Sequence, residues 1–93
     1  MQYYKWFWNV SLGGDFDVWG TSTYFVEIGK NAKTHRQIEV YENGNVLFYD
    51  STHLWDDYGR LSDKPMLGDN LEEFEITKAE FEQVWNSNIP MNW

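Results

Sequence analysis

Thr34-His35-Arg36-Gln37-Ile38-Glu39-Val40-Tyr41-Glu42, then Asn43-Gly44, then Asn45-Val46-Leu47-Phe48-Tyr49-Asp50 is the stretch that decides the fold. Two runs rich in β-branched and aromatic residues flank the dipeptide that most favours a two-residue type I′ turn, because both central residues of that turn need positive φ. Such a turn sets a register in which Val40 faces Leu47 and Ile38 faces Tyr49 on one side of the ribbon. On the other side Tyr41 faces Val46 and Glu39 faces Phe48. The first side is apolar at its centre and is expected to face the core. The second carries Gln37, Glu39 and Asp50 and is expected to be wetter.

Working outward, Gln2 to Asn9 is an aromatic-rich run with polar ends and reads as a first strand, with Tyr4, Trp6 and Trp8 on one face and Tyr3, Lys5 and Phe7 on the other. Ser11 to Asp17 contains Gly13-Gly14 and reads as a turn. Val18 to Ile28 follows as a second strand, with Gly20 marking a bulge or bend. Ser51 to Gly68 is irregular, broken by Asp56-Asp57, Gly59, Pro65 and Gly68, yet it holds Leu54, Trp55, Tyr58, Leu61 and Met66. A loop of that length in a small domain is packed, functional or both. Asn70 to Ile76 reads as a last strand with Phe74 and Ile76 inward. Thr77-Lys78-Ala79-Glu80 then matches a capping box, and a helix from Lys78 to about Ser87 places Phe81, Val84 and Trp85 on one stripe before Pro90 stops it. The fold class that follows is α+β: a curved antiparallel sheet of about four to six strands with one C-terminal helix laid on it, in a single domain over residues 1–93.

Composition narrows the function. Six Trp, six Tyr and six Phe in 93 residues supply the apolar area for a core, each buried ring removing about 150–250 Å² from water. Fifteen acidic residues against seven basic ones leave a formal net charge of −8, which disfavours nucleic acid and anionic membranes and favours a basic partner. Lys5, Lys30, Lys33, Arg36, Arg60, Lys64 and Lys78 are too scattered to make the positive groove that single-stranded nucleic acid requires. No apolar run approaches the roughly 18 residues of a membrane helix. With no cysteine there is neither a disulfide nor a thiolate metal site, and a cytoplasmic location is expected, since the start of the chain has no signal-peptide pattern.

Candidate chemistry is sparse. His35 and His53 flank the hairpin, and the expected register lets them approach each other, but no third ligand is placed by a motif, so no metal or other cofactor is expected. His53 with Asp56 has the spacing of an acid/base pair, and a small enzyme acting through it is one reading. Carboxylates three or four residues from a histidine are common by chance, and no nucleophile motif accompanies them, so the chain is expected not to be an enzyme. There is no phosphate-binding glycine loop. Acidic residues recur in the first loop (Asp15, Asp17), in the long loop (Asp56, Asp57) and near the last strand and helix (Glu72, Glu73, Glu75, Glu80, Glu82). Trp55 and Tyr58 beside Asp56-Asp57 have the composition of a protein-interface anchor.

Three stretches together resemble a family of small bacterial proteins known chiefly as a domain of unknown function, whose members are often taken to be immunity proteins of polymorphic toxin systems. They are Tyr4-Lys5 through Trp8; Arg36-Gln37-Ile38-Glu39-Val40-Tyr41-Glu42-Asn43-Gly44 with Tyr49; and Phe74-Glu75-Ile76-Thr77 with Glu80-Phe81-Glu82 and Trp85. The resemblance implies a binding role without catalytic residues.

The expected function is therefore an immunity-type protein that binds a cognate toxin with a basic surface, for instance a nuclease. Asp56, Asp57, Glu73 and Glu75 are its electrostatic contacts, and Trp55 and Tyr58 its anchors. The alternative is a carbohydrate or small-ligand binding module using exposed aromatics. A monomer or a weak homodimer formed through exposed strand edges is expected.

Overall fold

The structure is a computed structural model that describes residues 1–8, 18–61 and 71–93. Its elements are β1 (Gln2–Trp8), β2 (Ser22–Ile28), β3 (Thr34–Tyr41), β4 (Val46–Tyr49), β5 (Glu75–Ile76) and α1 (Lys78–Ser87), with short 3₁₀ turns at Lys30–Ala32 and Leu71–Phe74. The strands form one antiparallel sheet in the order β4-β3-β2-β1-β5. This is the α+β arrangement expected from the sequence.

The central hairpin corrects its expected register by one residue. Val40 pairs with Val46, Ile38 with Phe48 and Glu39 with Leu47. The reason lies in the turn. Tyr41 N–H donates to Asn45 O (2.8 Å) and Gly44 N–H to Tyr41 O (2.9 Å), so Glu42, Asn43 and Gly44 form a three-residue loop. Gly44 is its left-handed residue (φ 95°), as in a type I turn closed by a glycine bulge. Because side chains alternate with period two, that slip sends Val46 and Phe48 to the same face as Ile38 and Val40, and Leu47 and Tyr49 to the face of Glu39 and Tyr41.

Both faces are consequently covered. On one, Tyr3, Phe25, Ile38, Val46 and Phe48 bury against Phe81 of α1, with Val84 and Trp85 packed alongside. Thr77 caps this helix, its Oγ1 accepting from Glu80 N–H at 3.1 Å. Arg36 fastens the helix to the sheet: its guanidinium makes a two-pronged contact with Glu27 (2.9 and 2.7 Å), pairs with Glu82 of α1, and lies 4.9 Å from the ring centres of both Phe81 and Trp85. On the opposite face Trp19, Tyr41, Leu47 and Tyr49 form a second cluster joined by Leu61, and Tyr4, Val26 and Ile28 a third. The face expected to be wetter is therefore buried, and Gln37 and Glu39 are each 5% exposed.

Other expectations are revised. The second strand begins at Ser22, because Gly20 takes a left-handed φ (78°) where Glu42 crowds the backbone so closely that an added Cβ would collide with its carboxylate. The last strand shrinks to Glu75–Ile76, and Phe74, expected inward, falls in a 3₁₀ turn and stays exposed. A bulge between Glu27 and Ile28 leaves His35 out of register, its ring against Gly29. The Ser11 to Asp17 turn, with Asp15 and Asp17, and the 62–70 part of the long loop lie outside the described residues.

The edge of β4 is closed by the C-terminal segment. Met91 N–H donates to Val46 O (2.9 Å). The Asn92 amide both accepts from Phe48 N–H (3.1 Å) and donates to Phe48 O (3.0 Å), imitating a neighbouring peptide unit. Trp93 Nε1 donates to the same carbonyl at 2.8 Å. Among the described residues no helix is long and apolar enough to cross a membrane.

Candidate functional surface

Residues 54–61 form a small antiparallel ribbon over the face opposite α1. Leu61 N–H donates to Leu54 O (2.8 Å), Asp56 N–H donates to Gly59 O (2.9 Å), and Trp55 bridges to Arg60. Asp56 holds it together. Its Oδ1 accepts from Tyr49 O–H (2.9 Å), from Tyr58 N–H (2.9 Å) and from Gly59 N–H (3.2 Å). Its Oδ2 sits 2.7 Å from His53 Nε2 and accepts from Asn92 Nδ2 at 2.7 Å. Burial alone would raise the Asp56 carboxyl, but these hydrogen bonds, that of His53 foremost, more than offset it and hold the group down at about 2.

Beneath the ribbon lies a buried polar cluster. Tyr41 O–H donates to Glu39 Oε1 (2.5 Å), and Gln37 Nε2 donates both to Glu39 Oε2 (2.8 Å) and to the carbonyl of Arg60 (3.2 Å). Gln37 thereby ties the ribbon to β3. Burial pushes the Glu39 carboxyl up despite those donors, and burial with the neighbouring Glu39 pushes the Tyr24 hydroxyl up to about 12. Around the ribbon one carboxyl is accordingly kept low, at Asp56, and one high, at Glu39.

The expected site residues separate. Trp55, 73% exposed, stands out with Asp57, as a docking anchor requires, whereas Tyr58 at the ribbon tip is half-exposed with its ring centre 5.7 Å from that of Trp19 in the core. Asp56 turns inward and orders its neighbours. Glu73 and Glu75 are exposed but belong to the β5 edge, at the other end of the sheet from β4, four strand spacings or about 19 Å away. They do not share a patch with Trp55.

His53 is 2.7 Å from Asp56 and rests near Tyr49 and Trp93, with ring centres 5.8 and 5.6 Å away. Both Asp56 oxygens accept from several donors within the fold, so this carboxylate serves as a clamp on the ribbon and orients the His53 ring. Among the described residues no group of three His, Asp or Glu side chains could hold a metal ion.

A cleft of about 820 Å³ runs beside the ribbon, walled by Trp55, Tyr58, Leu61, Lys33, Thr34 and Arg60. No sequence motif marks Lys33, Thr34, Arg60 or Asn92 as site residues. Arg60 belongs to the ribbon, and the topology alone brings Lys33, Thr34 and Asn92 to it.

No family model matches the chain. It is similar to the B subunit of the aspartyl/glutamyl-tRNA(Asn/Gln) amidotransferase of Prochlorococcus marinus (strain AS9601), 35% identical over 66 residues, covering 59% of this chain and 13% of that protein. Its counterpart in strain MIT 9312 is similar over the same extent. The chain thus spans 13% of the length of the curated relatives it resembles. No solved structure matches it.

Proposed function

We propose that the chain is a protein-binding module of the immunity type, which neutralises a toxin by covering a basic surface on it and meets that surface with the 54–61 ribbon. The observation that supports this most is Trp55: a large ring 73% exposed on a ribbon that Asp56 fastens through Tyr49, His53 and Asn92. An aromatic carried on an ordered ribbon requires little backbone ordering on docking, and Trp and Tyr are among the residues that most often carry interface energy. Asp57 beside it and the net charge of −8 favour encounter with a cationic partner.

In this reading Trp55 and Tyr58 are the anchors and Asp57 the contact charge. Asp56 is a positioning residue, and Glu73 and Glu75 add to the field from the far edge. The chain works in the cytoplasm, where a producing cell must be protected from its own toxin, and it acts by occlusion without chemistry. The short stretch shared with the amidotransferase covers too little of that protein to lend this chain its reaction. The test is genetic: each gene adjacent to this one is expressed alone and then with it. Growth arrest by one neighbour, relieved by co-expression of the wild-type chain and not of Trp55→Ala with Tyr58→Ala, is the expected result. Arrest relieved equally by both forms would reject the ribbon as the docking element.

A further inference from the structure

We propose that the cleft beside the ribbon binds a neutral oligosaccharide, with one sugar ring laid on Trp55. The charge of the cleft wall is the first observation. The chain as a whole carries −8, yet two basic side chains, Lys33 and Arg60, and two acidic ones, Asp56 and Asp57, line the cleft. An anion seated there would meet the carboxylates and a cation the basic pair, so the wall favours an uncharged ligand. The second observation is the ring. The antiparallel bridge between Trp55 and Arg60 sets their side chains on one side of the ribbon, and alternation sends the neighbouring Asp56 to the other, towards Tyr49. A largely exposed indole with polar groups beside it matches a pyranose. The C–H bonds on one sugar face, made slightly positive by the oxygens they adjoin, lie against the negative face of the ring. The third observation is the kind of polar group at hand. Sugar hydroxyls both donate and accept, whereas ionised Asp57 accepts and Lys33 and Arg60 donate. All three side chains are exposed, and among the described residues none of them makes an ion pair. The site is also set before a ligand arrives. Asp56 fastens the ribbon, and Gly29 N–H donates to Lys33 O (2.8 Å) to close the turn that carries Lys33. Its volume of about 820 Å³ lies within the range, about 300–1,000 Å³, of small-molecule sites.

This inference concerns a ligand other than the basic protein partner and does not rest on that reading. Its test uses the isolated chain and sugars alone, so its outcome is independent of the growth assay. The isotope-labelled chain is titrated with the neutral trimer of N-acetylglucosamine, with maltotriose and with cellotriose. Two charged trimers of the same length, of glucosamine and of galacturonic acid, are the comparators. The backbone amides of residues 55–60 are followed by NMR. Saturable shifts with at least one neutral trimer, bound several-fold more tightly than either charged one, are expected. Trp55→Ala should weaken that binding about tenfold or more, and Trp55→Phe, which keeps a ring, by less. Asp57→Ala should weaken it several-fold, whereas Asp57→Asn, whose amide oxygen still accepts, should keep most of the affinity. Both positions are exposed, so the thermal midpoint of each variant should stay at the wild-type value. No saturable shift with any neutral trimer, equal or tighter binding of a charged one, or undiminished affinity in Trp55→Ala would overturn the proposal.

Discussion

Asn92 Nδ2 lies 2.7 Å from Asp56 Oδ2, joining the last residues of the chain to the ribbon that carries Trp55. The same amide pairs with Phe48 on the β4 edge. One side chain thereby joins Met91 and Trp93 in closing a sheet edge and steadies the candidate docking element.

Replacing Asn92 by Ala should therefore have two effects. Losing its hydrogen bonds to backbone and carboxylate costs about 1–2 kcal/mol, read as a lower midpoint in urea. The β4 edge, left with only the Met91 and Trp93 contacts, should also self-associate more readily, visible as a rise in apparent mass with concentration. A variant that stays monomeric at wild-type stability would contradict both.

Arg36 is the joint between sheet and helix. Arg36→Lys keeps the charge but loses the fork to Glu27 and the stacking on Phe81 and Trp85, and should cost about 1–2 kcal/mol. Arg36→Ala strands the largely buried Glu27 and should cost more, about 2–4 kcal/mol. Chemical denaturation of the two variants measures the difference.

The two central carboxyls make opposite pH predictions. Asp56 is held down at about 2 from an ordinary 3.8, so the stability it contributes is present above the ordinary value and is lost as pH falls towards 2. Asp56→Asn should remove that acid-limb dependence and lower stability at neutral pH. Glu39 is raised, so the folded state holds its proton more tightly and stability declines as pH climbs above the ordinary carboxylate range. Glu39→Gln should flatten that decline and leave the protein as stable or more stable at neutral pH, provided the Gln37 amide turns over to accept. Thermal melts across pH 2 to about 8 test both signs together.

Elements governed by local pattern are legible in the amino-acid sequence alone. Thr77, Glu80 and the Phe81, Val84, Trp85 stripe announce the helix, because a cap and a 3.6-residue period are written within one segment. The hairpin is visible too, but Asn43-Gly44 fits a three-residue loop as well as a two-residue one, and that choice moves Leu47 and Tyr49 to the other face. Gln37 and Glu39 read as solvent-facing because nothing local says that Trp19 and residues 50–61 will cover them. The candidate site divides in the same way. Composition picks out Trp55, Asp57 and Tyr58, whereas the inward role of Asp56 depends on Tyr49 and on Asn92, 36 positions away. Long-range partners of that kind leave no periodic trace.

The most direct test of the ribbon as docking element is calorimetric titration of the purified growth-arresting neighbour with the wild-type chain, Trp55→Ala and Asp57→Lys. Truncating an anchor should raise Kd at least tenfold, about 1.4 kcal/mol, and reversing the charge should weaken binding most at low salt. Wild-type Kd in both variants at every salt concentration would contradict it.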